Sequence, residues 1–207
     1  MSEITSITAQ SKDKRRCNVY VDGRFYCGLT LESVVKYRLK VGQSIDAERL
    51  SEIQLESERN TALDKALTYI SASQKTKREI RTYLEGKGYL PPVCEYVLEK
   101  MSDYGFADDG AYATAYAESA IKKRGKRLIE MELKRKGISD EEIDAATQDL
   151  GGEAETAKRI LEKYMRGKEM DKTTLQKAYR HLMGKGFDYD TAREALRSLG
   201  ESLEEEE

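Results

Sequence analysis

The sequence predicts a mainly α-helical protein, built as a tandem array of three three-helix repeats behind a small β-rich extension. One Lys-Gly step recurs at a constant period of 49 residues, each time with a leucine four residues before the glycine: Lys87-Gly88, Lys136-Gly137 and Lys185-Gly186. Charged residues make up 36% of the chain, and the mean hydropathy of −0.72 suits a soluble helical protein. Self-similarity at a fixed period is the signature of stacked units that cannot bury their apolar faces alone.

The amino-terminal extension predicts a β-hairpin, a third strand and one helix. Asp22-Gly23 lies between two runs of β-forming residues and suits a type I′ turn, whose two central residues have positive φ. A strand near residues 4–10 completes a three-stranded sheet. From Thr30 the apolar spacing becomes helical, and we expect this helix to close near Gly42.

A second helical run begins at Asp46 and leads towards the first repeat. We therefore divide the chain into an extension (1–45), a helical linker (46–61), three repeats (62–106, 107–152 and 153–200) and an acidic tail (201–207).

Each repeat is predicted to contain three helices of about 12 to 15 residues, judged from caps and apolar periodicity. Thr76 with Glu79, and Ser139 with Glu142, have the spacing of a capping box. Further helix caps are predicted at Asp108, Asp171 and Asp188.

The repeated Lys-Gly step is interpreted as a helix stop. Glycine adopts the left-handed conformation that commonly ends a helix at least cost, and the lysine faces the negative end of the helix dipole. The leucines of the pattern are predicted core residues: Leu84, Leu133 and Leu182.

The densest positive charge lies in the middle repeat, where residues 122–136 contain eight Lys or Arg against two acids. Such a cluster can engage phosphates or an acidic protein face, although a solvated face of a charge-rich helix is the alternative. The candidate partner-binding residues are Lys122, Lys123, Arg124, Lys126, Arg127, Lys134 and Arg135. A smaller basic set lies beside the hairpin: Lys12, Lys14, Arg15 and Arg16.

The sequence argues against an enzyme. With one histidine, His181, and three cysteines without CxxC spacing, neither a catalytic triad nor a set of metal ligands can be assembled. The chain has no phosphate-binding GxxxxGK[ST] loop, so we expect no cofactor. No apolar run approaches the length of a membrane span and no leader is visible, so we expect a cytoplasmic protein.

The segments Tyr104–Tyr116 and Gly125–Ile138 resemble the central repeat of the RecX family of recombination regulators. Glu79–Tyr89 is similar to the family's first repeat, and Leu175–Leu199 matches the third more loosely. The resemblance covers about residues 62–200 and depends on several weak motifs in the right order. The family often has arginine where this chain has Ser73-Gln74-Lys75-Thr76.

The resemblance implies a non-enzymatic cytoplasmic modulator of the RecA recombinase, which binds its filament on single-stranded DNA. Such a protein is expected to suppress ATP hydrolysis, strand exchange and repressor cleavage by the recombinase. We assign the candidate basic residues to that contact because they coincide with the strongest resemblance. We further expect a monomer with at most weak direct contact to DNA.

Two other functions remain open from the sequence. The same basic cluster suits a helical module that binds DNA or RNA directly. A three-helix period near 49 residues also suits an armadillo-like scaffold for acidic peptides.

Overall fold

The computed structural model describes residues 2–11 and 13–204, with side chains through residue 200. Lys12 of the smaller basic set lies outside the described residues, as do residues 205–207 of the acidic tail. The strands are β1 (Ser2–Ala9), β2 (Arg16–Val21), β3 (Arg24–Thr30) and β4 (Ser44–Ile45). The helices are α1 (Leu31–Lys36), α2 (Ala47–Ile70), α3 (Lys77–Gly86), α4 (Pro91–Asp103), α5 (Asp109–Ala120), α6 (Lys126–Arg135), α7 (Asp140–Thr147), α8 (Glu153–Met165), α9 (Lys172–Gly184) and α10 (Tyr189–Glu204).

The predicted fold class is confirmed: the described chain is mainly helical, with a small antiparallel sheet at its amino-terminal end. The hairpin of β2 and β3 turns at Asp22 and Gly23, whose φ angles are 50° and 77°, as a type I′ turn requires. One face of the sheet, including Ile4, Val19 and Leu29, is fully buried in a core of its own.

Two details of the extension differ from the prediction. The sheet has four strands rather than three, because the two-residue strand β4 pairs with β1 at Ser2 and Glu3. The first helix ends at Lys36 rather than near Gly42. Arg38 adopts a left-handed φ of 51°, and the chain turns there so that Leu39 enters the sheet core.

The predicted helical linker 46–61 and the start of the predicted first repeat lie on one helix, because α2 runs unbroken from Ala47 to Ile70. No glycine or proline interrupts this stretch, so nothing stops the helix at residue 61. Its first half buries Leu50 and Ile53 in the sheet core. Its second half buries Ala62 and Ala66 among the residues of α3 and α4.

Three helix triplets follow, as the 49-residue period predicts: α2 to α4, α5 to α7 and α8 to α10. Each triplet buries a separate hydrophobic cluster. The three leucines of the repeated pattern have no exposed surface: Leu84, Leu133 and Leu182. The capping boxes also form, with the Glu79 amide donating to the Thr76 hydroxyl at 3.2 Å and the Glu142 amide to the Ser139 hydroxyl at 3.2 Å.

The chain forms two compact units. The first comprises residues 1–74 and 80–107, and the second comprises residues 75–79 and 108–207. The division passes through α3: its opening residues belong to the second unit, whereas Ile80 and Leu84 are buried in the core of the first.

Candidate functional site

In the second unit, Lys136-Gly137 and Lys185-Gly186 do more than end a helix. The carbonyl of Lys136 accepts a hydrogen bond from the Thr76 hydroxyl at 2.9 Å, and the carbonyl of Lys185 accepts one from the Gly125 amide at 2.9 Å. In each case a carbonyl at the carboxyl end of one helix accepts a hydrogen bond from the residue that immediately precedes another helix. This contact adds to the predicted role as a helix stop, and it brings the turn after α5 close to the end of α9.

Beside each of these two contacts, a carboxylate accepts a further hydrogen bond. Asp109, at the start of α5, accepts a hydrogen bond from the Lys77 amide at 2.9 Å. Glu153, at the start of α8, accepts one from the Lys126 amide at 2.9 Å. Asp109 is buried, and this desolvation raises the pKa of its carboxyl above the ordinary value. Asp109 therefore links the start of α5 to the start of α3. Its neighbour Asp108 caps α5, as predicted.

The structure pairs three of the seven candidate basic residues with carboxylates. Arg124 forms a bridge to Glu132, which also accepts a hydrogen bond from the Tyr116 hydroxyl at 2.6 Å. Lys134 lies 2.8 Å from Asp140. Lys126 lies 3.9 Å from Glu130, and the three bridges reduce the charge that these side chains offer a partner.

Two more candidates lie at opposite ends of α6. Arg127 is exposed in the first turn and Arg135 in the last turn, about 12 Å apart along the helix axis by its rise per residue. The pKa of Asp188 is lowered chiefly by the Thr191 amide that it caps, with a smaller contribution from the charge of Arg127. The candidate set therefore does not form one surface.

Lys122 and Lys123 instead belong to a groove shared with α8 and α9 in the second unit. We call this surface the cationic groove. Its volume is about 1030 Å³, and its basic side chains are Lys122, Lys123, Arg159, Lys163, Arg166, Lys168 and Lys185. All seven are exposed, and only one carboxylate, Glu162, lines the same surface.

The charges of the cationic groove are not neutralised by bridges among the described residues. Within the part of the chain that the structure describes, none of its seven basic side chains lies within 4.0 Å of a carboxylate. Arg159 donates to the backbone carbonyl of Lys122 at 2.5 Å, which ties α8 to the turn after α5. Six net positive charges therefore face solvent on one surface.

Two aromatic rings form part of the groove wall. The rings of Tyr164 and His181 stack with centroids 4.5 Å apart, and Lys168 Nζ lies 3.3 Å from the centroid of Tyr164. Burial first, and then the charges of Lys185 and Lys168, lower the pKa of His181 below its ordinary value. The neutral form of His181 therefore predominates at pH 7.

Sequence reasoning missed the part of this groove that α8 supplies. Arg159, Lys163 and Arg166 follow one another at intervals of four and three residues, which places basic side chains along one helix face. That signal was readable from the sequence. These side chains line the same groove as Lys122 and Lys123, which are more than 35 residues away, and only the tertiary structure shows this.

The described residues contain no group of three or more His, Cys, Asp or Glu side chains arranged to hold a metal ion. Among the helices of that same part of the chain, none combines the length and apolarity needed to cross a membrane.

Comparison with protein families finds four matches along the chain. Residues 2–46 match the regulatory protein RecX N-terminal domain. The first, second and third three-helix domains of RecX match residues 62–101, 108–146 and 152–196.

Curated relatives are similar over nearly the whole chain. The regulatory protein RecX of Clostridium perfringens (strain 13 / Type A) is 32% identical over 205 residues, which cover 96% of this chain and 97% of the relative. The regulatory protein RecX of Bacillus subtilis (strain 168) is 29% identical and aligns over 96% of this chain and 78% of its own length.

Solved structures show the same fold. The crystal structure of a regulatory protein RecX matches with a TM-score of 0.70 and 27% identity, covering 93% of this chain and 98% of that chain. The crystal structure of RecX from Lactobacillus salivarius matches with a TM-score of 0.62 over 69% of this chain and 97% of that chain. At 23% identity, the second likeness bears on the fold alone.

Proposed function

Because this chain belongs to the RecX family of regulatory proteins, we propose that it is a non-enzymatic cytoplasmic regulator of the RecA recombinase. It binds the recombinase assembled on single-stranded DNA and lowers its ATPase, strand exchange and coprotease activities. The observation that carries the proposal is the family match, which extends from the amino-terminal sheet through all three three-helix domains. The relatives are named regulatory proteins, which favours a regulator over an enzyme.

The cationic groove supports this function physically. A recombinase on DNA presents two negatively charged targets, the phosphates of the strand and the acidic side chains of the protein subunits. A surface with six net positive charges attracts both, with a strength that falls as salt rises. Of the candidate residues, Lys122 and Lys123 are the two that lie on this surface.

The test is the DNA-dependent ATPase activity of the cognate recombinase, with this protein added at substoichiometric ratios. We expect ATP turnover to fall well before one molecule is present per recombinase subunit, since a regulator that stops filament growth acts at a few positions. The recombinase supplies the ATP site in this reaction.

The control separates regulation from competition for DNA. This protein is added only after recombinase, in excess over its DNA sites, has covered the single-stranded DNA, so that little bare strand is left to bind. A regulator of the recombinase still lowers turnover, whereas a protein that only covers DNA loses its effect. Unchanged turnover at an equimolar ratio would contradict the proposed function.

Direct binding of DNA or RNA, without a recombinase, is the second candidate function. The observation that favours it is the same exposed charge of the cationic groove, which no carboxylate of the described residues bridges. Under this alternative, inhibition disappears when the DNA is covered with recombinase before this protein is added.

A further inference from the structure

We propose that the cationic groove is a binding site for the sugar-phosphate backbone of single-stranded nucleic acid, held through several successive phosphates. The inference rests on the proposed function, since the bound strand is the one on which the recombinase assembles. It goes beyond that function by assigning the contact to the end of α5, α8 and α9. It also excludes the basic side chains of α6 that are paired within the chain.

The basic side chains of the groove differ from the paired ones of α6 in whether a carboxylate already neutralises their charge. Lys163 and Arg166 line the groove and have no bridging carboxylate among the described residues, whereas Lys134 is bridged to Asp140 at 2.8 Å. A phosphate that approaches Lys134 has to compete with a carboxylate already in place. A phosphate that approaches Lys163 replaces only water and counterions, whose release favours binding.

The spacing along α8 suits a polymer with a regular charge repeat. From Arg159 to Lys163 the helix rises about 6 Å, and Arg166 follows directly after its last residue, Met165. Arg159 and Lys163 are therefore about one helical turn apart, comparable to the separation of successive phosphates in an extended strand. Lys122 and Lys123 line the same groove. Several neighbouring phosphates can thus be neutralised together.

The groove offers no free aromatic surface on which bases could stack. Tyr164, its one tyrosine, stacks on His181, and Lys168 lies over its ring. Stacking on exposed rings is the usual way in which single-stranded bases are held. With that contact occupied, the site recognises the backbone, and binding is independent of base sequence.

An acidic peptide fits the groove less well. Peptides bind through hydrogen bonds to an open sheet edge, through apolar side chains in matching pockets or, when acidic, through clusters of arginine. Two of the seven basic side chains of the groove, Arg159 and Arg166, are arginines, and Arg159 already donates to the carbonyl of Lys122. The groove walls are helices, whose backbone groups are bonded internally, and Ile160 is the one aliphatic residue of its lining. A polymer with one charge on every unit gains more from this surface than a peptide does.

The test uses the full chain without recombinase and fluorescently labelled oligothymidylate and oligoadenylate of equal length. Binding is followed by anisotropy over a salt titration. We expect equal affinity for the two oligonucleotides and a negative slope of log affinity against log salt. In Lys163→Gln/Arg166→Gln the slope becomes shallower by about 1.4, and affinity near 0.1 M salt falls about tenfold.

The matched control is Lys134→Gln/Arg135→Gln, which removes the same charge from exposed residues outside the groove. Its affinity and salt slope should stay within about twofold of the parent. Equal losses in the two variants would overturn the assignment, and so would a clear preference for one base. Binding of polyglutamate as strongly as of oligothymidylate would also overturn it, in favour of an acidic peptide. Because no recombinase is present, failure here leaves the ATPase test of the proposed function independent.

Discussion

At the residue scale, Lys123 and Arg124 are neighbours in the chain with opposite surroundings. Lys123 is exposed in the cationic groove, whereas Arg124 is bound to Glu132. The sequence shows both as members of one basic run, and only the position of Glu132 eight residues later distinguishes them. Local charge density therefore overstates the number of side chains that a partner can reach.

His181 makes the stability of the protein depend on pH. Its pKa in the folded state lies below the unfolded value of about 6.5, so the unfolded chain binds more protons between these two values. Stability attributable to His181 is therefore complete above about pH 7 and is lost as pH falls through the folded-state pKa. We expect the free energy of unfolding to decrease over this range, measured by urea denaturation at several pH values.

The control for this prediction is His181→Gln, which keeps a polar side chain without the titration. The groups that surround the histidine are Tyr164, Lys168, Lys185, Lys123, Arg180 and Glu132. They remain in both proteins, so the difference between the two pH profiles reports His181. A difference that does not change between pH 7.5 and pH 5 would contradict the assigned direction. Polyanion binding should oppose the loss, because phosphates favour the protonated ring.

At the element scale, the three repeated glycines have nearly the same φ angle but differ in how closely other atoms approach them. Gly88, Gly137 and Gly186 have φ angles of 86°, 88° and 89°. A Cβ on Gly88 meets nothing within 4 Å, whereas on Gly137 it lies 2.7 Å from Cβ of Arg78 and on Gly186 it lies 2.5 Å from the backbone nitrogen of Leu128. One sequence pattern therefore stops a helix in all three copies and also forms a close contact in the second and third.

Alanine substitutions should reveal this difference. Gly88→Ala should cost about 1–2 kcal/mol, the cost of a left-handed residue with a side chain. Gly137→Ala and Gly186→Ala should cost about 1–3 kcal/mol more because of overpacking, with Gly186→Ala the worse because backbone has to move. The free energies of unfolding are measured by urea denaturation followed by circular dichroism.

Gly152→Ala provides the control within the second unit. Gly152 has a φ of 85° and open space around its Cβ direction, so it carries the conformational cost alone. Were Gly186→Ala no more destabilising than Gly152→Ala, the close contact at Gly186 would have no energetic consequence.

The continuous helix α2 joins two cores of the first unit. Asn60 is exposed near its centre, between the half that packs on the sheet and the half that packs on α3 and α4. Asn60→Pro removes one helical hydrogen bond and introduces a clash, at a cost of about 3 kcal/mol or more. We expect faster hydrogen exchange of backbone amides in both halves, around Ile53 and around Ala66.

Asn60→Ala serves as the comparison, because alanine keeps the helix and improves its propensity. It should leave exchange unchanged or slower in both halves. If Asn60→Pro accelerated exchange in one half alone, the two cores would not depend on one helix.

At the scale of the whole molecule, the formal net charge of −2 conceals a strong local segregation. Residues 140–155 contain seven acids and no Lys or Arg, whereas the cationic groove carries six net positive charges in the same unit. Exposed charges are screened beyond a Debye length of about 10 Å at 0.1 M salt, so a bound polymer responds to the charges near it rather than to the net charge. Net charge is therefore a poor guide to the polymers that this protein attracts.

The parts of the fold that could be predicted are those with local signals. The type I′ turn at Asp22, the capping boxes and the 49-residue period each depend on residues close together in the chain. Strand β4 was missed because two residues have no periodicity, and the early end of α1 was missed because Arg38 adopts a conformation usual for glycine. The groove required contacts between α8 and a turn in another repeat, which no local pattern contains.

Helix α3 contributes residues to both compact units, so the chain cannot be cut into two complete units there. Thr76 and Glu79 complete the second unit through Lys136, while Ile80 and Leu84, one turn later, complete the core of the first. A cut before Thr76 removes the buried side chains of α3 from the first unit. A cut after Leu84 removes the residues that bind Lys136 from the second unit. No single cleavage site yields two intact halves, so gene fragments divided at the repeat boundaries would encode incomplete proteins.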